Sequence, residues 1–270
     1  MKYQGNHFMK KTLIALAVAA SAAVSGSAMA WNQGGVNGSV GIGGSLTPQV
    51  KVIPWEAQIG TTVNDLNGVI QQGSVTADIQ VNTTIPVLGI RTVSKSGFVG
   101  GEGLNPQISY GDAVDFGASV SGVAPLTLKV KNTDDQSEMG TLKTTMTVAS
   151  RIAWSHGNSK QTLNPVANQA GTVFFGGVGT SSAGVSHGDE EKNNAEVLFP
   201  GVTANFISLD GYSDIGPWTN VKADGTDTMY SGYYASGIKA GSVINLSLNA
   251  PADVDAINWT AQLPITVSYQ

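Results

Sequence analysis

The stretch "VNGSVGIGGSL", Val36–Leu46, carries two signals that pull apart. Six of its eleven residues are glycine or serine, the composition of a flexible linker. Yet Val36, Val40, Ile42 and Leu46 all stand at even positions, and the even positions between them are Gly38 and Gly44. A two-residue period places side chains on one face of a β-strand. The stretch therefore reads as a strand with one apolar face, too rich in glycine to order itself alone.

What precedes it looks like an export signal. Lys10 and Lys11 form a positive start, "TLIALAVAASAAV" is an apolar run, and "AMA" ending at Ala30 offers small residues for cleavage before Trp31. Residues 1–30 are thus expected to be removed, with Met9 a second candidate start; a retained N-terminal helix is the alternative. The exported chain would begin with an arm, 31–46, followed by one domain, 47–270.

Charge and cysteine content narrow what that domain does. The whole chain has a formal charge of −5, and Lys2, Lys10 and Lys11 leave with the signal, so the exported protein is more acidic still. Such a chain is a poor partner for nucleic acid or anionic lipid. With no cysteine, it forms no disulfide, thiol nucleophile or thiolate metal site. No apolar run after the signal approaches the length of a membrane helix.

The remaining sequence reads as β structure. "SVTADIQV", "LTLKV", "TLKTTMTV" and "INLSL" each alternate apolar and polar residues, the mark of a half-buried strand. "NTDDQSEMG", Asn132–Gly140, is a polar turn between two of them. From about 154 to 225 the alternation weakens, and "DEEKNNAEVLF" reads as one short helix; this is taken as a long insertion into a β-sandwich. The end is the most regular: Ile257, Trp259, Ala261, Leu263, Ile265, Val267 and Tyr269 fill seven successive odd positions, with Pro264 on the opposite parity. Because proline cannot donate to a ladder, it points to a strand at an open or specially paired edge.

Together the two ends explain the opening stretch. A sandwich whose last strand lies at an edge leaves backbone groups unpaired and part of its core uncovered. An arm with apolar residues at every second position has the form of a strand that fills such a gap by addition, with Gly38 and Gly44 where backbones come close. The simpler alternative is an ordinary first strand folding back into its own sheet.

Four segments carry a family resemblance: "WNQGGVNGSVGIGGSLT" at 31–47, "PWEAQIG" at 54–60, "LTLKVKNTDDQSEMGTL" at 126–142 and "WTAQLPITVSYQ" at 259–270. In these the chain resembles the FaeG-type subunits of chaperone–usher fimbriae of enterotoxigenic Escherichia coli. The resemblance implies an all-β fold: an incomplete immunoglobulin-like β-sandwich lacking its final strand and completed by donor-strand exchange. It further implies a periplasmic chaperone held through Leu263, Ile265, Val267 and Tyr269, an outer-membrane usher, other fimbrial subunits as partners, and a place in a surface fimbrium. Residues 154–225 match poorly. The family's adhesive member carries receptor binding in its insertion, so its sugar contacts do not transfer, and a minor subunit is the expected role.

Other chemistry is weaker in the sequence. "GVSHG", Gly184–Gly188, fits a serine-hydrolase elbow but has neither a preceding apolar strand nor a later histidine. "HGDEE", His187–Glu191, offers one histidine beside carboxylates, which is usually a solvated loop. "GGVGTSSAG" lacks the lysine of a phosphate loop. Neither enzyme, cofactor nor metal is expected. Trp218, Tyr230, Tyr233 and Tyr234 are aromatics able to stack on a host glycan, which would make the chain an adhesin; the alternative is that they cover the core.

Overall fold

The computed structural model describes residues 33–34, 37–47, 51–209 and 213–270. The chain divides into two units, Met1–Val50 and Lys51–Gln270. In the first, residues 37–47 form no strand or helix and are exposed throughout.

The second unit is almost wholly β. Its strands are β1 (Trp55–Ile59), β2 (Thr76–Gln80), β3 (Ile85–Thr92), β4 (Phe98–Val99), β5 (Pro106–Ser109), β6 (Val123–Asn132) and β7 (Glu138–His156). After β8 (Ser159–Val166) comes the helix α1 (Gly188–Leu198). Then follow β9 (Ser213–Thr219), β10 (Met229–Ile238), β11 (Val243–Leu248), β12 (Trp259–Ala261) and β13 (Thr266–Tyr269). The alternating segments of the sequence fall in β2, β6, β7 and β11, and the polar turn joins β6 to β7.

One strand organises the sandwich. β7 is 19 residues long and changes neighbours along its length. Its first part pairs with β6 on one side and β11 on the other; its second part pairs with β10 and β8. The ladder therefore runs β12–β6–β7–β11–β2 through one half and β9–β8–β7–β10–β3–β1 through the other, with β4 also on β10. Every pairing is antiparallel except β8 with β9. β13 leaves this ladder and pairs with β5.

Both halves pack over one core. Leu126, Val130, Leu142, Ile244 and Leu246 from one half share a cluster with Leu88, Ile90, Ile152 and Leu163 from the other. β10 is central and nearly all buried, which explains why its sequence, "MYSGYYASGI", shows no alternation. Aromatic rings tie the interior together. Phe98, Trp55, Phe174 and Tyr234 follow one another with ring centroids 5.1, 5.6 and 5.5 Å apart, and the Tyr234 and Tyr110 hydroxyls are 2.9 Å apart. In a protein without disulfides, this chain of ring contacts links β1, β4 and β10 with Tyr110, the residue after β5.

Residues 154–225 supply β8, α1 and β9. The helix buries Glu191, Asn194, Ala195 and Leu198, the spacing of one helical face. Beneath it lie Ala149 of β7, Tyr233 and Ala235 of β10, and Phe199 just beyond its end. Gly89 of β3 admits Phe199, since a Cβ there would come within 2.6 Å of the ring.

Candidate assembly edge

The C-terminal strand is expected to be continuous from Ile257 to Tyr269, but it is broken. β12 pairs with β6 (Trp259↔Asn132, Ala261↔Val130), Gln262–Ile265 form no ladder, and β13 pairs with β5 (Val267↔Ile108, Tyr269↔Pro106). The physical reason is a change of partner: the segment leaves β6 before it reaches β5. Alternation of burial nevertheless persists across the break, half-buried at every odd position from Ile257 to Tyr269 and exposed at the even positions from Gln262 to Gln270.

Hydrogen bonding follows the same parity. In an antiparallel pair a residue's N–H and C=O point to the same side, and its chain neighbours' point to the other. Gln270 and Asn105 exchange both backbone bonds, at 3.0 and 3.1 Å, and Thr133 N–H donates to Asn258 C=O at 3.1 Å. Even residues thus face β5 and β6. The backbone groups of Trp259, Ala261, Val267 and Tyr269 therefore face the opposite edge, where no strand pairs among the described residues, and the unbroken alternation of burial carries the same parity through Leu263 and Ile265. Their side chains pack against the core cluster but stay half-exposed, and burial raises the Tyr269 hydroxyl pKa above its ordinary value. The same six residues therefore present an unpaired hydrogen-bonding edge and an incompletely covered apolar row. Such an edge accepts an added strand.

Of the residues expected to supply that strand, Val36 lies outside the described residues, as do the cleavage residues Ala30 and Trp31. Gly38, Val40, Ile42, Gly44 and Leu46 are exposed; Val40, Ile42 and Leu46 are 89%, 96% and 99% accessible. The arm displays an apolar face without an apolar environment.

Three of the aromatics proposed for a glycan are not available to one, which corrects that expectation. Tyr230, Tyr233 and Tyr234 retain only 6%, 1% and 0% of their surface, because β10 runs through the middle of its sheet. Trp218 on β9 is exposed. In "GVSHG", Ser186 is buried and donates to Val148 C=O at 3.1 Å, while His187 is exposed just before α1; the pair forms no nucleophile elbow. Among the described residues no cluster of three His, Asp or Glu is placed to hold a metal.

What sequence reading missed is a polar latch beneath α1. Glu191, within the supposed solvated loop, is fully buried. Its Oε2 lies 2.9 Å from Arg151 Nε of β7 and accepts from the Tyr233 hydroxyl of β10 at 3.2 Å. Burial, outweighing the attraction of Arg151, pushes the Glu191 carboxyl up to about 7. Only the helical spacing of Glu191 with Asn194, Ala195 and Leu198 hints at this in the sequence.

Comparison with known proteins fits an edge built for assembly. A family model described as "Fimbrial, major and minor subunit" matches residues 9–270. The K88 fimbrial protein AB of Escherichia coli is 32% identical over 294 residues, covering 97% of this chain and 100% of that protein. K88 fimbrial protein AC of the same species is 32% identical over 292 residues, with the same coverage. The F41 fimbrial protein of Escherichia coli is 32% identical over 291 residues, again covering 97% and 100%. With its all-β sandwich, its open C-terminal edge and these full-length relatives, the chain belongs to the family of major and minor fimbrial subunits.

Proposed function

We propose that this protein is a structural, minor subunit of a surface fimbrium, exported by residues 1–30 and polymerised by donor-strand exchange. A periplasmic chaperone covers the odd-numbered edge from Leu263 to Tyr269 until, at the outer-membrane usher, a neighbouring subunit's arm replaces it. The arm, Trp31–Leu46, does the same for the next subunit. One observation carries this reading: the residues with unpaired backbone groups are the same residues whose side chains leave the core half-covered. A strand added there satisfies both at once.

The test is chaperone capture. Val267→Ser with Tyr269→Ser removes two apolar side chains from the row, at about 1.5–3 kcal/mol for each once covered. The double variant is expected to be degraded in the periplasm and absent from chaperone pull-downs, while the parent chain co-purifies. Normal co-purification of the variant would refute the role given to this edge.

A second reading, an adhesin for host glycans, keeps support from Trp218, the exposed member of the four aromatics. A glycan array probed with parent and Trp218→Ala protein separates the two. Binding lost with the ring favours the adhesin; no binding by either favours the structural subunit.

A further inference from the structure

The exposed arm carries a chemically labile bond, and we propose that Asn37–Gly38 is a site of spontaneous modification, where the Asn37 side-chain amide is exchanged for a carboxylate through a backbone succinimide. The modification precedes assembly; only its last consequence rests on the assembly reading above.

The chemistry needs nothing but water. The Gly38 backbone nitrogen attacks Cγ of Asn37, and a new N–C bond forms as the Cγ–Nδ2 bond breaks. The proton of that nitrogen leaves with the departing ammonia. Water then opens the succinimide ring at one of its two carbonyls. Opening on one side returns an aspartate; opening on the other gives isoaspartate, whose backbone runs through the side-chain carbon and is one methylene longer. Two features of the chain set the rate. The residue after the asparagine must bring its nitrogen close to Cγ, which a Cβ hinders and glycine permits. The asparagine must also leave the extended conformation, because at a ψ of about +135° its own backbone carries that nitrogen away from the side chain.

The sequence contains two Asn–Gly pairs, and the fold treats them differently. Asn37 and Gly38 are exposed, lie in no strand or helix, and among the described residues no hydrogen bond holds either. Nothing stands within 4 Å of the position that a Cβ on Gly38 would occupy. Asn67–Gly68 is fixed from both sides. Leu66 before it packs against the core cluster, and the Asn67 N–H donates to Asp65 C=O at 2.9 Å. A Cβ on Gly68 would lie 2.7 Å from Cγ1 of the buried Ile79. Closing the ring there requires the segment to lift from Ile79 first, so only the fraction of molecules opened at that place reacts. Asn37–Gly38 is the reactive pair.

In an assembled subunit the same site would close. A ladder holds Asn37 extended, so the arm reacts while free and is protected once paired. Isoaspartate formed before pairing places an extra methylene between positions 37 and 38. Val36 then falls out of the two-residue period shared by Val40, Ile42 and Leu46, and the apolar face is split.

Peptide mapping by mass spectrometry reads both sites at once. The full exported chain, unassembled, would be held in mildly alkaline buffer beside synthetic peptides spanning Gly34–Gly41 and Asn64–Gln71. The two peptides are expected to convert at similar rates. In the folded chain Asn37 is expected to keep pace with its peptide, while Asn67 falls roughly tenfold behind its own. Equal conversion of the two sites in the folded chain, or Asn37 lagging far behind its peptide, overturns the proposal. Gly38→Ala should slow conversion at Asn37 and leave Asn67 as it was; undiminished conversion at Asn37 overturns the succinimide route. SDS-resistant multimers treated in the same way should show Asn37 protected. Conversion of Asn37 in multimers at the rate of the free chain overturns the protected state, and with it the role given to the arm, while the result on the free chain still stands.

Discussion

Appending a second copy of Gly34–Leu46 after Gln270, through a four-residue turn, should complete the sandwich within one molecule. The C-terminal strand would run into the turn and return along its own open edge as a hairpin, which is antiparallel by construction. The exposed Val40, Ile42 and Leu46 side chains would each gain roughly 1.5–3 kcal/mol on burial, and each ladder hydrogen bond about 0.5–1.5 kcal/mol. Ordering the added strand costs about 1–2 kcal/mol per residue, close to what those terms return, so the net gain of about a few kcal/mol comes from further covering of Trp259, Leu263 and Tyr269. The short tether supplies an effective concentration that reaches the millimolar range. For a domain of this size each kcal/mol moves the melting temperature by about 2–4 °C, so a rise on the order of 10 °C is expected, together with a monomer in size-exclusion chromatography. Val40→Asn with Ile42→Asn in the appended copy should erase the rise, because amides would be buried without partners. If the unfused chain is already a stable monomer and the fusion moves nothing, the core is complete and the missing-strand reasoning is wrong.

Three further outcomes are expected. Deleting Trp31–Leu46 should leave a chain that binds its chaperone but cannot donate, so that SDS-resistant multimers of the deleted chain alone are absent; their persistence would show that the arm is not the donor. Glu191 has its pKa raised by burial from 4.5 to about 7, so the folded state holds a proton that the unfolded chain releases. Its stabilising contribution is present below pH 4.5 and lost as pH rises towards about 7; denaturant midpoints across that range should fall in the parent and flatten in Glu191→Gln. Pro264→Ala should preserve chaperone capture while Ile265→Pro abolishes it, as scored by co-purification.

How much was visible in the sequence depends on how each element is buried. β2, β6, β11 and the first part of β7 each have one face on the core, and their alternation was plain. β10 and β3 are buried on both faces, so "MYSGYYASGI" and "IPVLGIRT" carry no period, and the central strand of the sheet went unread. The same lack of period makes Tyr233 and Tyr234 look available in the sequence, whereas β10 lies between β3 and β7 and buries both. β8 and β9 form the parallel pair, within the stretch where alternation fades. Glu191 was illegible for a different reason: a carboxylate in the first turn of a helix is ordinarily solvated, and only the neighbouring Arg151 and Tyr233, distant in sequence, draw it inside.

Pro264 shows how closely the open edge is specified. In the sequence it marked an edge because it lacks an N–H, but the structure places the missing donor elsewhere. As an even residue it faces the side of β5 and β6, and it sits where the chain has left one and not yet met the other. No ladder bond is lost there. The odd residues Leu263 and Ile265 on either side keep their donors, so the open edge offers an uninterrupted series from Trp259 to Tyr269. A proline one position away would remove a donor from that series and leave an incoming strand's carbonyl unpaired, at a cost of about 1–3 kcal/mol. Placed at 264, it relieves the strand of a bond it cannot make during its change of partner and leaves the donors of the open edge intact.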